Sequence, residues 1–304
     1  MRYLDIKPEL RVSEIVLGCM RISQMPVKEV AGLIGAAQEA GINFYDHADI
    51  YGGGQSEVVF GKALKTMSLK REDILIQSKC GIRPGMFDFS KEHILSSVDG
   101  ILKRLDTEYL DVLLLHRPDA LVEPQEVAEA FYLLKEQGKV RWFGVSNHSP
   151  YQVELLKQAV KEELLFNQLQ MSLMFTGMVD AGLNLNMKND ASVDHDHGTL
   201  DYCRLHGITV QAWSPFQYGF FEGVFVGNEQ FPELNEALDE VAQAHRVSPS
   251  AIAAAWLLRH PARMQVVLGT TQPKRVKAIA QGADVALSRE EWYKLYRAAG
   301  NKLP

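Results

Sequence analysis

The stretch VKEVAGLIGAAQEAGINFYD, residues 27–46, decides the fold. Val27, Val30, Ala31, Ile34 and Ala37 recur at helical spacing, Gly41 stops the helix, and the apolar run Ile42–Tyr45 follows as a strand. The same grammar returns twice. Val127, Phe131 and Leu134 share a helical face, Gly138 stops it, and Val140–Val145 is the strand; Leu200–His206 gives way at Gly207 to Ile208–Ala212. Working outward, Ile15–Leu17, Ile74–Gln77, Val112–Leu115, Leu165–Asn167 and Val266–Leu268 are short apolar runs that suit strands buried on both faces of a parallel sheet. Helical stretches lie between them, among them the Ile94, Val98, Ile101, Leu105 stripe and a helix opened by Ser248-Pro249. Strict alternation of eight strands with helices predicts an α/β chain, a (β/α)8 TIM barrel, over an open sheet.

At 304 residues the chain suits one such domain, 1–304. Tyr3–Ile6 and Leu10–Val12 flank Lys7-Pro8-Glu9 and predict an N-terminal β-hairpin that plugs the barrel bottom. Long loops are expected at the C-terminal face, above all Met171–Gly198 and residues 216–231. The net charge of -6 argues against a nucleic-acid or anionic-membrane surface. Three widely spaced cysteines form no CxxC pair, which argues against a disulfide framework or a zinc site. The first residues lack a secretory apolar region and no apolar run reaches a membrane span, so a cytoplasmic location is expected.

In a barrel, chemistry sits at the carboxyl ends of the strands. The polar residues there are Asp46 with Tyr51, Ser78-Lys79, His116, Ser146-Asn147, Asn167-Gln168, Trp213-Ser214 and Gly269-Thr270-Thr271. A free tyrosine has a pKa of about 10, high for an acid at neutral pH. A lysine ammonium beside it favours the phenolate and lowers that value. Lys79 supplies the ammonium, Asp46 holds it charged, and His116 donates a hydrogen bond to a carbonyl oxygen. No strong nucleophile belongs to this group. It points to protonation of an oxygen while a hydride attacks carbon. Taken singly, each has a bland account: Asp46 as a helix cap, Tyr51 as a packing ring, Lys79 as a structural ion pair, His116 as a core histidine. Their joint placement at successive strand ends favours chemistry.

These residues resemble the aldo-keto reductase family. GINFYDHADIYGGGQSE looks like its signature around the catalytic Asp and Tyr, LIQSKC like the lysine segment and DVLLLHRPD like the histidine segment. WFGVSNHS and LLFNQLQ are similar to the segments that hold the nicotinamide carboxamide, and VVLGTTQPKRV to the one that grips the adenosine phosphate. The style is nearest to bacterial oxidoreductases close to the potassium-channel β subunits. The resemblance implies catalytic Tyr51, Asp46, Lys79 and His116. It implies cofactor contacts from Gly18, Cys19, Met20, Asp46, Ser146, Asn147, Gln168, Trp213, Ser214, Gly269, Thr270, Thr271 and Arg275. The implied activity is reduction of a small-molecule aldehyde or ketone to an alcohol with NADPH as cofactor, NADP+ being the product and NADH the alternative donor; no metal is called for.

The chain departs from the family pattern at three places. Trp213 stands where a tyrosine usually stacks on the nicotinamide, Gly269 replaces a lysine that some branches place on the 2′-phosphate, and SPFQYGFFEGVF (214–225) replaces a glycine-rich loop. Arg275, with Lys274 beside it, retains a phosphate fork. Asp194-His195-Asp196-His197 has a metal-like alternation but no further strand-borne ligand and suits a solvated loop tip. Gly52-Gly53-Gly54 is a turn rather than a phosphate loop. Met174, Phe175, Met178, Phe216, Phe220 and Phe221 either pack the mouth loops or line an apolar pocket, and Cys80 is a packing residue. Two other functions are weighed: a cofactor-holding redox sensor with little turnover, and a Schiff-base aldolase acting through Lys79.

Overall fold

Eight strands line up in chain order: Ile15–Gly18, Phe44–Asp46, Leu75–Cys80, Leu110–Leu115, Val140–Ser146, Leu164–Gln170, Thr209–Trp213 and Met264–Leu268. Each pairs in parallel with the next, and the last closes on the first through Val266–Ile15 and Leu268–Leu17, giving a closed barrel. This computed structural model describes all 304 residues. Helices Val27–Glu39, Gln55–Lys65, Lys91–Leu105, Pro124–Glu136, Pro150–Lys157, Thr199–Leu205, Pro249–Leu258 and Pro273–Ala280 cover the outside. Their starts follow local chemistry. Ser90, Ser149 and Ser248 each accept a hydrogen bond from the backbone three residues on, and Pro150 and Pro249 follow two of them. No helix is long and apolar enough to cross a membrane.

The first helix buries Val30, Leu33, Ile34, Ala36 and Ala37, while Val27 and Ala31 lie half-buried at the edge of the stripe. Gly41 ends it at φ 79°, a left-handed conformation that suits glycine, and the Tyr3 hydroxyl donates to its carbonyl at 2.8 Å. That bond ties the outer layer to the N-terminal hairpin. Tyr3–Lys7 and Leu10–Ser13 pair antiparallel, and Ile6, Leu10 and Val12 pack on Val16, Phe44, Val112, Leu114, Phe166 and Val267. The hairpin therefore stops the bottom of the barrel, and ligands can enter only from the other end.

Strand limits differ from the sequence reading where polar residues intervene. The second strand begins at Phe44 rather than Ile42, because the Asn43 side chain accepts from Ser13 N–H and donates to the Arg11 carbonyl, pairing with the hairpin instead. The third runs to Cys80 and the sixth to Gln170, past the polar residues that follow the apolar runs. Those polar residues have partners inside the barrel. Gln77, Gln168, Gln211 and Gln265 are fully or almost fully buried and joined by amide hydrogen bonds of 2.9–3.1 Å. The chain of amides ends below on the Ser13 carbonyl and above on Asp46. Buried amides are tolerated when satisfied in this way.

The segment 171–198 is only partly a loop. It contains a helix, Gly177–Leu183, and a 3-10 turn, Asp190–Ser192. Asp180 on that helix accepts from the Tyr296 hydroxyl at 2.6 Å, which docks the segment on the C-terminal helix Arg289–Ala298. The segment starts at the carboxyl end of the sixth strand, on the face where a long loop is expected, and none of its residues lines the mouth cavity.

Candidate active site

Lys79 is wholly buried, near the end of the third strand. All three of its N–H bonds are committed: to the Asp46 carboxylate at 2.7–2.8 Å, to the His47 carbonyl at 2.8 Å and to the Tyr51 hydroxyl oxygen at 3.1 Å. Asp46 closes the second strand, so the ion pair is fixed by the register of neighbouring strands, in which Asp46 pairs with Gln77. Asp46 also accepts from Gln77 at 2.6 Å and from Gln168 at 3.0 Å. A buried ion pair needs such additional hydrogen bonds to offset its desolvation.

Tyr51 reaches Lys79 because of the three glycines after it. Gly52, Gly53 and Gly54 all have positive φ, and a Cβ on Gly52 would overlap the Ser23 side chain. The turn places Tyr51 at the edge of the mouth with its ring perpendicular to that of His116, centres 6.0 Å apart. Behind the turn, buried Glu57 accepts from the Ser78 hydroxyl at 2.6 Å and pairs with Arg104 at 2.7 Å. Gln77, Gln211, Gln265 and Glu57 are site-supporting residues that the sequence reading passed over; the signal for the glutamines was their recurrence in otherwise apolar strands.

Electrostatics correct one expectation. Burial raises the Tyr51 pKa, the Lys79 ammonium pulls it back, and Asp46 raises it again; the balance lies above the ordinary tyrosine value, not below. A phenolate loses more hydration here than one ammonium returns. Burial also works against the charge of Lys79, but Asp46 and Tyr51 outweigh it and hold its pKa above the usual lysine range. Burial, with the positive charges of Lys79 and Arg117, pushes His116 well below its ordinary pKa, so it is a neutral imidazole at pH 7. The site thus presents a protonated phenol, a charged lysine and a neutral histidine.

A cavity of about 580 Å³ opens over this group. Its wall includes Gly18, Met20, Asp46, Tyr51, His116, Ser146, Asn147, Gln168, Trp213 and Ser214, and extends to Gly269, Thr270, Thr271 and Arg275. The residues expected to hold a cofactor therefore share one groove, with one exception. Cys19 is buried beneath it; its thiol is turned to the Leu17 carbonyl at 3.6 Å and its N–H donates to the Asp46 carbonyl at 2.8 Å. Ser146 donates to the Gln168 carbonyl, Asn147 to Ser146, and the Trp213 indole to Asn147 at 3.2 Å, which sets the indole as one wall. Phe220 and Phe221 lean on that indole, their centres 6.0 and 6.4 Å from it. Phe216 lines the cavity with them, whereas Met174, Phe175 and Met178 do not. The Ser172 hydroxyl donates to the Gln217 carbonyl, and Gln170, at the end of the sixth strand, donates to the Gly219 carbonyl; the two bonds brace the loop that carries the phenylalanines.

The groove fits a dinucleotide in shape and in chemistry. Its volume is in the usual range for ligand sites. One end offers amide and hydroxyl groups beside an indole face. The other offers the start of helix Pro273–Ala280, with Lys274 and Arg275 in its first turn and no acid there, a favourable place for a phosphate. His195 and His197 lie on an exposed loop, and nowhere do three His, Cys, Asp or Glu side chains cluster as metal ligands would.

The closed parallel barrel with Asp46, Lys79 and Tyr51 at its mouth can be set beside known proteins. Residues 14–299 match the model of the Aldo/keto reductase family, and the chain belongs to that family. It is 34% identical to the uncharacterized oxidoreductase YcsN of Bacillus subtilis, covering 98% of each chain. It is also 34% identical to 6-dehydroglucose reductase of Agrobacterium fabrum, covering 99% of each. Chains named as voltage-gated potassium channel β subunits match at 26–28%. The crystal structure of an aldo-keto reductase from Klebsiella pneumoniae in complex with NADPH shares the fold, with a TM-score of 0.78, 24% identity and coverage of 97% of this chain and 94% of that one.

Proposed function

We propose that this chain reduces an aldehyde or ketone to an alcohol with NADPH, Tyr51 giving the proton. The observation that carries the reading is the contact at 3.1 Å between buried Lys79 and Tyr51, whose ring lines the groove that also holds Asn147, Gln168 and Trp213. NADPH, when bound, supplies a hydride for the carbonyl carbon. Tyr51 Oη accepts from Lys79, so its own O–H is free to point into the cavity at a carbonyl oxygen. As that proton leaves, Lys79 stabilises the phenolate at the moment charge develops. Asp46 keeps Lys79 charged and in place. His116, neutral, offers a ring N–H to orient the same oxygen. Ser146, Asn147 and Gln168 would hold a carboxamide, the Trp213 indole would cover a nicotinamide ring, and Arg275 with Thr270 and Thr271 would take the adenosine end and its 2′-phosphate.

The family and the names of two relatives, an oxidoreductase and a 6-dehydroglucose reductase, support this assignment. A Schiff-base role for Lys79 is disfavoured: its raised pKa and three hydrogen bonds leave no lone pair for attack. The test mixes the purified chain with NADPH and a panel of neutral aldehydes and ketones and follows loss of the reduced-nicotinamide absorbance. Turnover that falls to background in Tyr51→Phe is the expected result. A wild type no faster than that variant across the panel removes the reading, and stoichiometric NADPH retained without turnover would favour the redox-sensor function instead.

A further inference from the structure

Arg117 is a cation without a partner at the reactive end of the groove. It follows His116 directly at the mouth of the fourth strand, is half-buried, and shares the cavity wall with Tyr51, His116 and Trp213. Its guanidinium carbon lies 5.8 Å from the centre of the Trp213 ring system. Other arginines that leave solvent in this chain are paired with buried carboxylates: Arg71 with Asp111 at 2.7 Å and Arg104 with Glu57 at 2.7 Å. Arg117 forms neither an ion pair nor a hydrogen bond within the chain. The carboxylate nearest in sequence, Asp119, accepts from the backbone N–H groups of Phe89 and Leu121. Burial lowers the pKa of Arg117 with no acid to restore it, although a guanidinium stays charged at any ordinary pH. A half-desolvated, uncompensated charge costs free energy unless an anion arrives from outside.

Thr270, Thr271 and Arg275, assigned above to the 2′-phosphate, lie on the wall of the same cavity with no acid in the first turn of the helix that carries Arg275. We propose that Arg117 binds a carboxylate on the substrate, and that the preferred substrates are carbonyl compounds bearing a carboxylate across an apolar or aromatic body. This rests on the reductase reading above. The planar fork matches a carboxylate with two parallel hydrogen bonds. Ile50, Ile82, Phe220 and Phe221 line the same chamber and would pack on the body between the two polar ends.

The experiment compares 4-carboxybenzaldehyde with its neutral, similarly shaped methyl ester, using the full chain and NADPH. The wild type is expected to favour the acid in kcat/KM. Arg117→Met is expected to cut the acid-to-ester ratio about 10- to 100-fold, the usual weight of a charge-assisted hydrogen bond, mainly through KM. Arg117→Lys should retain part of the ratio and guards against a folding defect in the first variant. Arg21, exposed on the same rim, provides the control: Arg21→Met should leave the ratio in place. An unchanged ratio in Arg117→Met overturns the inference while the reductase reading stands. So does a ratio lost in Arg21→Met instead, or a weaker NADPH affinity with both substrates slowed alike. If the wild type reduces neither compound nor any neutral carbonyl of the panel, both readings fall together.

Discussion

The Nζ of Lys79 stands 3.1 Å from the Tyr51 hydroxyl and 4.9 Å from the centre of its ring, approaching from within the barrel. Of the two, only Tyr51 lines the cavity; Lys79 lies behind it. Reduction requires the protonated phenol, so its rate should fall as pH rises through the Tyr51 pKa. Lys79→Met removes the ammonium that pulls this pKa down. The alkaline limb of kcat should move to higher pH, and kcat should fall about 10²- to 10⁴-fold, the weight of a placed acid–base group. A pH–rate profile of wild type and variant checks both; an alkaline limb that moves to lower pH would contradict the assigned polarity.

Asp46→Asn leaves Lys79 buried without its counter-charge. Breaking one side of a buried pair costs about 3–5 kcal/mol. Urea unfolding of the variant, followed by circular dichroism, should show a loss of that order. Loss of less than about 1 kcal/mol would mean that water or another group solvates the lysine.

At the far end of the groove, Arg275→Leu should weaken NADPH binding about 10- to 100-fold with little change for NADH, since only the former carries the 2′-phosphate. Fluorescence titration with both nucleotides reads this directly. Equal weakening of the two would place Arg275 on the shared pyrophosphate or ribose instead.

His47 is fully buried against Phe60, ring centres 4.4 Å apart, with neither nitrogen hydrogen-bonded. Burial, and then the charge of Lys79, lowers its pKa from 6.5 to about 3. The unfolded chain takes up this proton near pH 6.5 and the folded one only near 3, so the neutral ring contributes stability that is complete above pH 6.5 and is lost as pH falls through that window. His148, lowered to about 4 by burial, acts in the same sense. His47→Phe should flatten the decline of unfolding free energy between pH 6.5 and 4, measured by denaturant titration at several pH values. An unaltered slope would show that His47 does not carry the linkage.

Much of the molecule was legible in advance. Eight apolar runs separated by amphipathic helices follow from periodicity alone, because buried parallel strands and surface helices impose different spacings on hydrophobic residues. The polar residues at strand ends were legible for a similar reason: each interrupts an apolar run. Illegible were strand limits that depend on a partner across the barrel. Gln77 and Gln168 look like strand ends until Gln211 and Asp46 are seen to satisfy them. Whether the segment 171–198 lines the cavity was not legible, because length and composition mark a loop but carry no direction. Its Ser172 and Asp180 contacts, on Gln217 and Tyr296, tie it to the loop beside the cavity and to the C-terminal helix.

Sequence by itself determined the barrel, its family and the kinds of side chain at its rim, since these depend on local periodicity and residue type. Tertiary structure alone decided the balance of charge. Whether Tyr51 is made more or less acidic turns on how much water it loses against how close Lys79 lies, and neither quantity is local. The same holds for Arg117, whose lack of a carboxylate partner appears only when every neighbour has been brought into place.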